Sequence, residues 1–191
     1  MKRTILTLTS LALAGSAAAA SLGEQVEQNV ADSRATIKQF ATSLQGELKA
    51  AMQEGGPTQG ISVCNEAAPR IAAEASESYG GDVSRTSLKV RNPDNAPDDW
   101  EREVLQRFDR LAQQGADPMK LDHFEVHRTE DGGREFRYMK AIPTGDVCLT
   151  CHGKNIPASV QETIDEHYPE DEARGFEKGD IRGAFTLTRP L

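Results

Sequence analysis

The sequence predicts an α+β fold, in which helices come first along the chain and antiparallel strands follow. Apolar residues recur at helical spacing over most of residues 22–114. Apolar and polar residues then alternate, as they do in strands, between residues 123 and 142 and again between residues 181 and 187. Glycine-rich and proline-rich turns separate these segments. We therefore expect an antiparallel sheet with helices packed on one side.

The first predicted element is a long amphipathic helix from Leu22 to about Glu54. Gly55, Gly56 and Pro57 should end it, because glycine and proline interrupt helices. A second helix then begins near Thr58. The residues predicted to face the core are Val26, Val30, Ile37, Phe40, Leu44, Leu48 and Met52 in the first helix, and Ile61, Cys64, Ala68, Ile71 and Ala75 in the second.

The remaining elements follow from the same patterns. Residues 85–90 are predicted to form a strand, and residues 97–114 a third helix with Pro97 in its first turn. The alternation around Asp131-Gly132-Gly133 is typical of a β-hairpin. A short helix should span residues 157–168, and a last strand should begin at Ile181.

Composition excludes several classes of protein. The chain has 191 residues, a formal charge of −8 and only six Phe, three Tyr and one Trp. A basic groove for nucleic acid and an aromatic platform for single strands therefore have no support. Three cysteines are too few for a disulfide scaffold.

Residues 1–20 have the pattern of a cleaved signal peptide. Lys2 and Arg3 precede a largely apolar run from Ile5 to Leu13, and small residues lead to an expected cleavage site after Ala20. The run is shorter than the roughly 20 residues that a membrane-spanning helix needs. We expect a periplasmic protein without stable membrane insertion, and loss of Lys2 and Arg3 would take its charge from −8 to −10.

The motif that carries chemistry is Cys148-Leu149-Thr150-Cys151-His152, a C-x-x-C-H sequence. In this motif two thiols bind haem covalently and the adjacent histidine ligates the iron. The other readings are a thioredoxin-like dithiol, a disulfide or half of a zinc site. A redox dithiol belongs early in a βαβ pattern, and the chain has no second C-x-x-C for zinc. The sequence therefore predicts one covalently bound haem c.

The second axial ligand of the iron stays open on sequence pattern alone. No Met follows His152, which excludes a downstream methionine ligand. We expect His123 and His127 to face solvent on a strand, Met52 to pack in the core and Met139 to be exposed. Cys64 is an odd third cysteine, and haem iron accepts a thiolate ligand. The candidates are Met52, Met119, Met139, His123, His127, His167 and Cys64.

Four separated blocks resemble the PAS-like single-haem c-type domain family, long catalogued as a domain of unknown function. The blocks are residues 61–69, 85–97, 148–153 and 179–185. The resemblance implies a PAS-like antiparallel sheet, with His152 and Cys64 as the two axial ligands of the iron. It also suggests a division into an N-terminal amphipathic helix at residues 21–56 and a PAS-like haem domain at residues 57–191.

Arg91, in one of the matching blocks, is a candidate contact for the haem. It could pair with a haem propionate, since guanidinium presents paired donors to a carboxylate; a solvated turn residue is the other interpretation.

We expect an electron-transfer role for this protein. A His152/Cys64 iron would act as a low-potential one-electron carrier or redox-responsive centre with a redox partner protein. Eight acidic residues between Glu162 and Asp180 suit a basic partner. The alternative is a haem-based gas or redox sensor that acts through a separate partner, and no residue spacing indicates an enzyme.

Overall fold

The computed structural model describes residues 21–191, so the predicted signal peptide at residues 1–20 lies outside it. Helix α1 spans Leu22–Ser62 and begins with a capping box between Ser21 and Glu24. Gly56 breaks the helix with a φ of 72°, which confirms the break predicted at residues 55–57. Among residues 21–191, no helix is both long and apolar enough to cross a membrane.

A π-helical turn at Val63–Ala67 joins α1 to α2. The four strands form one antiparallel sheet in the order β1-β4-β3-β2, and the predicted hairpin is the β2-β3 pair. The other elements in chain order are α2 (Ala68–Tyr79), β1 (Asp82–Thr86), α3 (Asp99–Gln113), β2 (Asp122–Arg128), β3 (Arg134–Pro143), α4 (Leu149–His152), α5 (Ala158–His167) and β4 (Ile181–Pro190).

Helices cover both faces of the sheet, whereas the sequence predicted helices on one side. Helices α1 and α2 pack on one face, where their cluster includes Phe40 and Leu187. Helix α3 packs Leu105 and Phe108 on the opposite face. The two central strands, β3 and β4, carry apolar side chains on both faces, so both faces need cover. The α+β class with N-terminal helices against an antiparallel sheet is confirmed.

Three strand predictions were wrong in detail. Strand β1 covers Asp82–Thr86 instead of residues 85–90. Met139, expected to be exposed, is fully buried because β3 is a central strand and α3 covers that face. Phe124, which lies on the face of β2 opposite the predicted solvent-facing His123 and His127, is itself 46% exposed, since β2 lies at the edge of the sheet.

Strands β1 and β4 approach each other closely at Gly183. A β-carbon added at Gly183 would lie 2.3 Å from the carbonyl oxygen of Thr86 and 3.2 Å from the Cβ of Ser87. No side chain fits this gap, because a backbone oxygen cannot move aside without distorting the ladder. Gly183 therefore sets the spacing of the two strands whose ends carry Arg85 and Arg182.

We predict that Gly183→Ala lowers the free energy of unfolding by about 2 kcal/mol or more, because the added methyl group collides with the backbone of β1. Urea denaturation would measure the change. Gly46→Ala is the matched control: Gly46 is exposed inside α1 with nothing within 4 Å of the added atom. That substitution should raise stability by about 0.5–1 kcal/mol. Equal stabilities of the Gly183→Ala variant and the parent would contradict the prediction.

Candidate functional site

The C-x-x-C-H segment forms a short helical stretch between β3 and α5. A 3-10 turn at Asp146–Cys148 leads into α4, Leu149–His152. Residues three positions apart share one side of a helix, so this stretch places Cys148 and Cys151 on a common side. Both cysteines and His152 are partly exposed, and all three cysteines of the protein are free thiols. The local structure presents two thiols and an adjacent imidazole together.

His152 is held by the loop that precedes β4. Its Nδ1 lies 2.8 Å from the carbonyl oxygen of Ala173. The backbone amides of Gly175 and Phe176 donate to the carbonyls of Gly153 and His152. Burial lowers the pKa of His152 well below its usual range, and the charges of two nearby arginines lower it further. The imidazole is therefore neutral, and a proton on Nδ1 leaves the lone pair of Nε2 available for a metal.

Arg91 is paired with Asp171 beneath this segment. Its Nε donates to Oδ1 of Asp171 at 2.8 Å, and the two side chains are only 7% and 0% exposed. The Nη2 of Arg91 also donates to the carbonyl of Cys151 at 2.7 Å and to that of Ala173 at 3.2 Å. Arg91 thus joins the C-x-x-C-H turn to the loop that holds His152. Its predicted contact with a propionate stays a prediction.

Asp171 accepts hydrogen bonds from two further donors besides Arg91. The donors are Nε of Arg174 and the backbone amide of Ala173. Burial acts to raise the pKa of Asp171, but the hydrogen bonds from Arg91 and Arg174 outweigh it and lower the pKa below the usual range. Asp171 is therefore ionised at neutral pH and orients the residues around it.

Cys64 lies on the π-helical turn Val63–Ala67. Such turns are rare and frequently mark functional sites. One turn earlier, Ile61 packs in a buried cluster with Val160, Ile164 and Tyr168, and Cys151 lies against the same cluster. This packing brings Cys64 and the C-x-x-C-H segment, which are far apart in sequence, to the same part of the fold.

Cys64 also affects the electrostatics of groups around the C-x-x-C-H segment. Burial raises the pKa of Cys151; Arg91 opposes this effect, and the nearby Cys64 and Cys148 add to it. Burial also raises the pKa of Tyr168 to about 12, with Cys64 the next contribution. Cys64 is therefore a neighbour of both Cys151 and Tyr168. The set of two thiols, an imidazole and a third thiol fits the covalent haem that the sequence predicts.

The other candidate ligands lie in different surroundings. His123 stacks on Trp100 at the surface side of α3, and Nε2 of His127 is 3.2 Å from Glu135. Met119 and His167 are exposed, and Met139 is buried under α3. None of these contacts involves the C-x-x-C-H segment. Among residues 21–191, no group of three or more His, Cys, Asp and Glu residues is arranged to hold a metal ion.

Sequence reasoning missed two arginines of the site, Arg85 and Arg182. Arg85 is half-buried near Cys64 and Tyr168, and burial lowers its pKa. Nε of Arg182 is 3.2 Å from Nδ1 of His152. A signal existed for Arg85: in a strand that starts at Asp82, Arg85 faces the same way as the buried Val83. The misplaced start of β1 concealed it.

Comparisons with known proteins find similarity over most of the chain. The sequence profile of the Tll0287-like family matches residues 23–190. Among solved structures, the chain is similar to the cyanobacterial haem-protein Tll0287, at 28% identity and a TM-score of 0.65, and the match covers 90% of this chain and 98% of that one. No curated protein matches the chain. The profile match includes every residue of the candidate site.

We predict that Asp171→Asn lowers the free energy of unfolding by about 3–5 kcal/mol, because it leaves the buried Arg91 charge without its counter-ion. Thermal or urea unfolding at pH 7 would measure the loss. Asp165→Asn is the control, since Asp165 pairs with the same Arg174 but is 62% exposed. That pair should contribute no more than about 1 kcal/mol.

The difference between the parent and Asp171→Asn should depend on pH. The pKa of Asp171 is lowered in the folded protein, so its contribution is present in full above the unfolded value of about 3.9. It is lost as the pH falls through the lower folded value. A difference that stays constant between pH 7 and pH 2 would contradict the role of Asp171 as an ionised partner.

Proposed function

The chain belongs to the Tll0287-like family, and from that premise we propose that it binds haem and acts as an exported c-type cytochrome with one haem. The observation that carries the proposal is that Cys64 lies near Cys151, the residue before His152, beside one buried cluster. The similarity to a haem-protein supports the same conclusion. Export rests on the signal-peptide pattern and places the protein in the periplasm.

Each residue of the site has a role in this proposal. Cys148 and Cys151 would hold the haem covalently, and His152 and Cys64 would ligate its iron. When bound, haem supplies an iron that takes up or releases one electron. The carbonyl of Ala173 orients His152 by accepting the proton of Nδ1. Arg91 and Asp171 hold the backbone on either side of that contact.

Ligation by Cys64 would give the iron a low reduction potential. A thiolate places an anion on the metal and so favours the ferric state. Two strong axial ligands also give a six-coordinate, low-spin iron without an open position for a substrate. The site therefore suits transfer of single electrons rather than catalysis on a substrate.

The surface next to the attachment site suits a protein partner. Val147 and Asp146 precede Cys148 and are both exposed, so the haem edge would lie within reach of another protein. Acidic side chains are exposed on α5 and in the segment after it. These charges would attract a basic redox partner over several ångströms.

One observation favours a second role as a gas or redox sensor. Cys64 lies on a π-helical turn, a rare feature that is frequent at functional sites. A sensor would require Cys64 to release the iron on reduction, so that a gas could bind in its place. The sensor would act through a separate partner protein.

We predict that Cys64→Ala abolishes the low-spin thiolate signal in the EPR spectrum of the ferric protein and raises its reduction potential, because an anionic ligand is lost. The haem should remain attached, since Cys148 and Cys151 are unchanged. Asn65→Ala is the control on the same π-helical turn and should retain the signal. Identical spectra for the parent and Cys64→Ala would reject Cys64 as a ligand and leave the iron to another residue.

Carbon monoxide separates the two roles. We expect the optical spectrum of the reduced parent protein to stay unchanged after addition of the gas, because His152 and Cys64 occupy both axial positions. Cys64→Ala should bind the gas and therefore serves as the positive control. A rapid Soret shift in the parent would instead favour the sensor.

A further inference from the structure

The candidate site contains more positive than negative charge. Asp171 accepts both Arg91 and Arg174, and Arg174 also contacts Asp165. These two carboxylates balance those two arginines. Arg85 and Arg182 are the other arginines of the site, and within residues 21–191 neither contacts a carboxylate.

Arg85 is half-buried beside the site. It projects from β1 toward the helices, with its guanidinium 5.9 Å from the centre of the Phe40 ring. Its polar neighbours are Cys64 and Tyr168. Among the described residues, no hydrogen bond from its side chain is formed. Its five donors could therefore bind a carboxylate ligand without giving up a protein acceptor.

Arg182 makes a contact that a metal-bound His152 would not allow. Its Nε lies 3.2 Å from Nδ1 of His152, and the same Nδ1 lies 2.8 Å from the carbonyl of Ala173. Arg182 can donate only to an unprotonated Nδ1, whereas the carbonyl of Ala173 can accept only from a protonated Nδ1. A histidine that ligates through Nε2 carries its proton on Nδ1. In that tautomer the Nε of Arg182 needs a different acceptor.

We propose that Arg85 and Arg182 bind the two propionate carboxylates of the haem. This inference rests on the proposed function and deepens it. Two propionates carry the two negative charges that the site lacks, and carboxylates match the paired donors of guanidinium. Arg91, the residue that the sequence pointed to, has a different role: it is bound to Asp171 and to the carbonyls of Cys151 and Ala173.

Ser87, which directly follows β1, holds the guanidinium of Arg182 at the start of β4. The Nη1 of Arg182 donates to the hydroxyl of Ser87 at 3.0 Å, and Ser87 donates to the carbonyl of Arg182 at 2.8 Å. These contacts keep the guanidinium beside the site even when its Nε leaves His152. Loss of Ser87 would loosen Arg182 without removing any charge.

The test uses the mature protein with covalent haem and its resonance Raman spectrum. The propionate bending bands of that spectrum respond to hydrogen bonds on the carboxylates. We expect these bands to shift in Arg85→Gln and in Arg182→Gln. They should stay unchanged in the control Arg189→Gln, because Arg189 is paired with Asp32 and packs on Tyr79.

The outcomes distinguish this inference from the proposed function. Unchanged bands in both variants, with the His152/Cys64 signature intact, would overturn the inference alone. A shift in only one variant would overturn it for the other arginine. A shift in Arg91→Gln alone would return the role to Arg91. A parent protein without the His/Cys signature would overturn the proposed ligation, whatever the bands do.

A second measurement covers variants that do not mature. The Cys148→Ser/Cys151→Ser protein and its Arg85→Gln and Arg182→Gln forms would be titrated with haem and with haem dimethyl ester, whose carboxylates are blocked. Each arginine substitution should weaken haem binding about tenfold or more and change ester binding less than about threefold. Equal losses with both ligands would show a packing role and overturn the inference. The conservative Arg85→Lys should recover part of the haem affinity.

Discussion

The buried ion pair of Arg91 and Asp171 is the interaction on which the site depends. It joins three stretches of chain: the loop after β1, the C-x-x-C-H turn through the carbonyl of Cys151, and the loop that holds His152 through Ala173. A buried ion pair adds little net stability when it forms, because both charges lose their hydration. Removal of one partner is costly, because the other charge then stays buried and unpaired. The pair therefore matters more for the position of His152 than for the net stability of the fold.

The site also requires that segments far apart in sequence lie close together in the fold. Cys64 lies on the π-helical turn between α1 and α2, and the C-x-x-C-H turn comes after the hairpin. The cluster of Ile61, Val160, Ile164 and Tyr168 connects them through ordinary apolar packing. Gly56 breaks α1, and the part of the helix after the break carries Ile61, which packs with Val160 and Ile164 of α5. The position of Cys64 thus depends on a backbone feature several residues away.

Features that depend on local sequence could be predicted, and features that depend on long-range pairing could not. The C-x-x-C-H turn, the break at Gly56 and the β2-β3 hairpin follow from spacing and turn residues. The burial of Met139 depends on β3 being a central strand, which no local pattern reveals. The partner of Arg91 is likewise a residue far along the chain. The residue pattern made Cys64 one of several candidate ligands, and the family resemblance selected it among them.

Charge balance connects the ligands with the arginines. Ferric iron in a porphyrin carries one positive charge, which a Cys64 thiolate would neutralise, and two propionates would neutralise Arg85 and Arg182. The oxidised site would then be close to neutral in an environment that penalises unpaired charge. Reduction adds an electron to this balanced site and leaves one negative charge without a partner. The preference for the ferric state would therefore come from the whole set of charges, with the thiolate as only one member, and removal of either arginine would make reduction harder still.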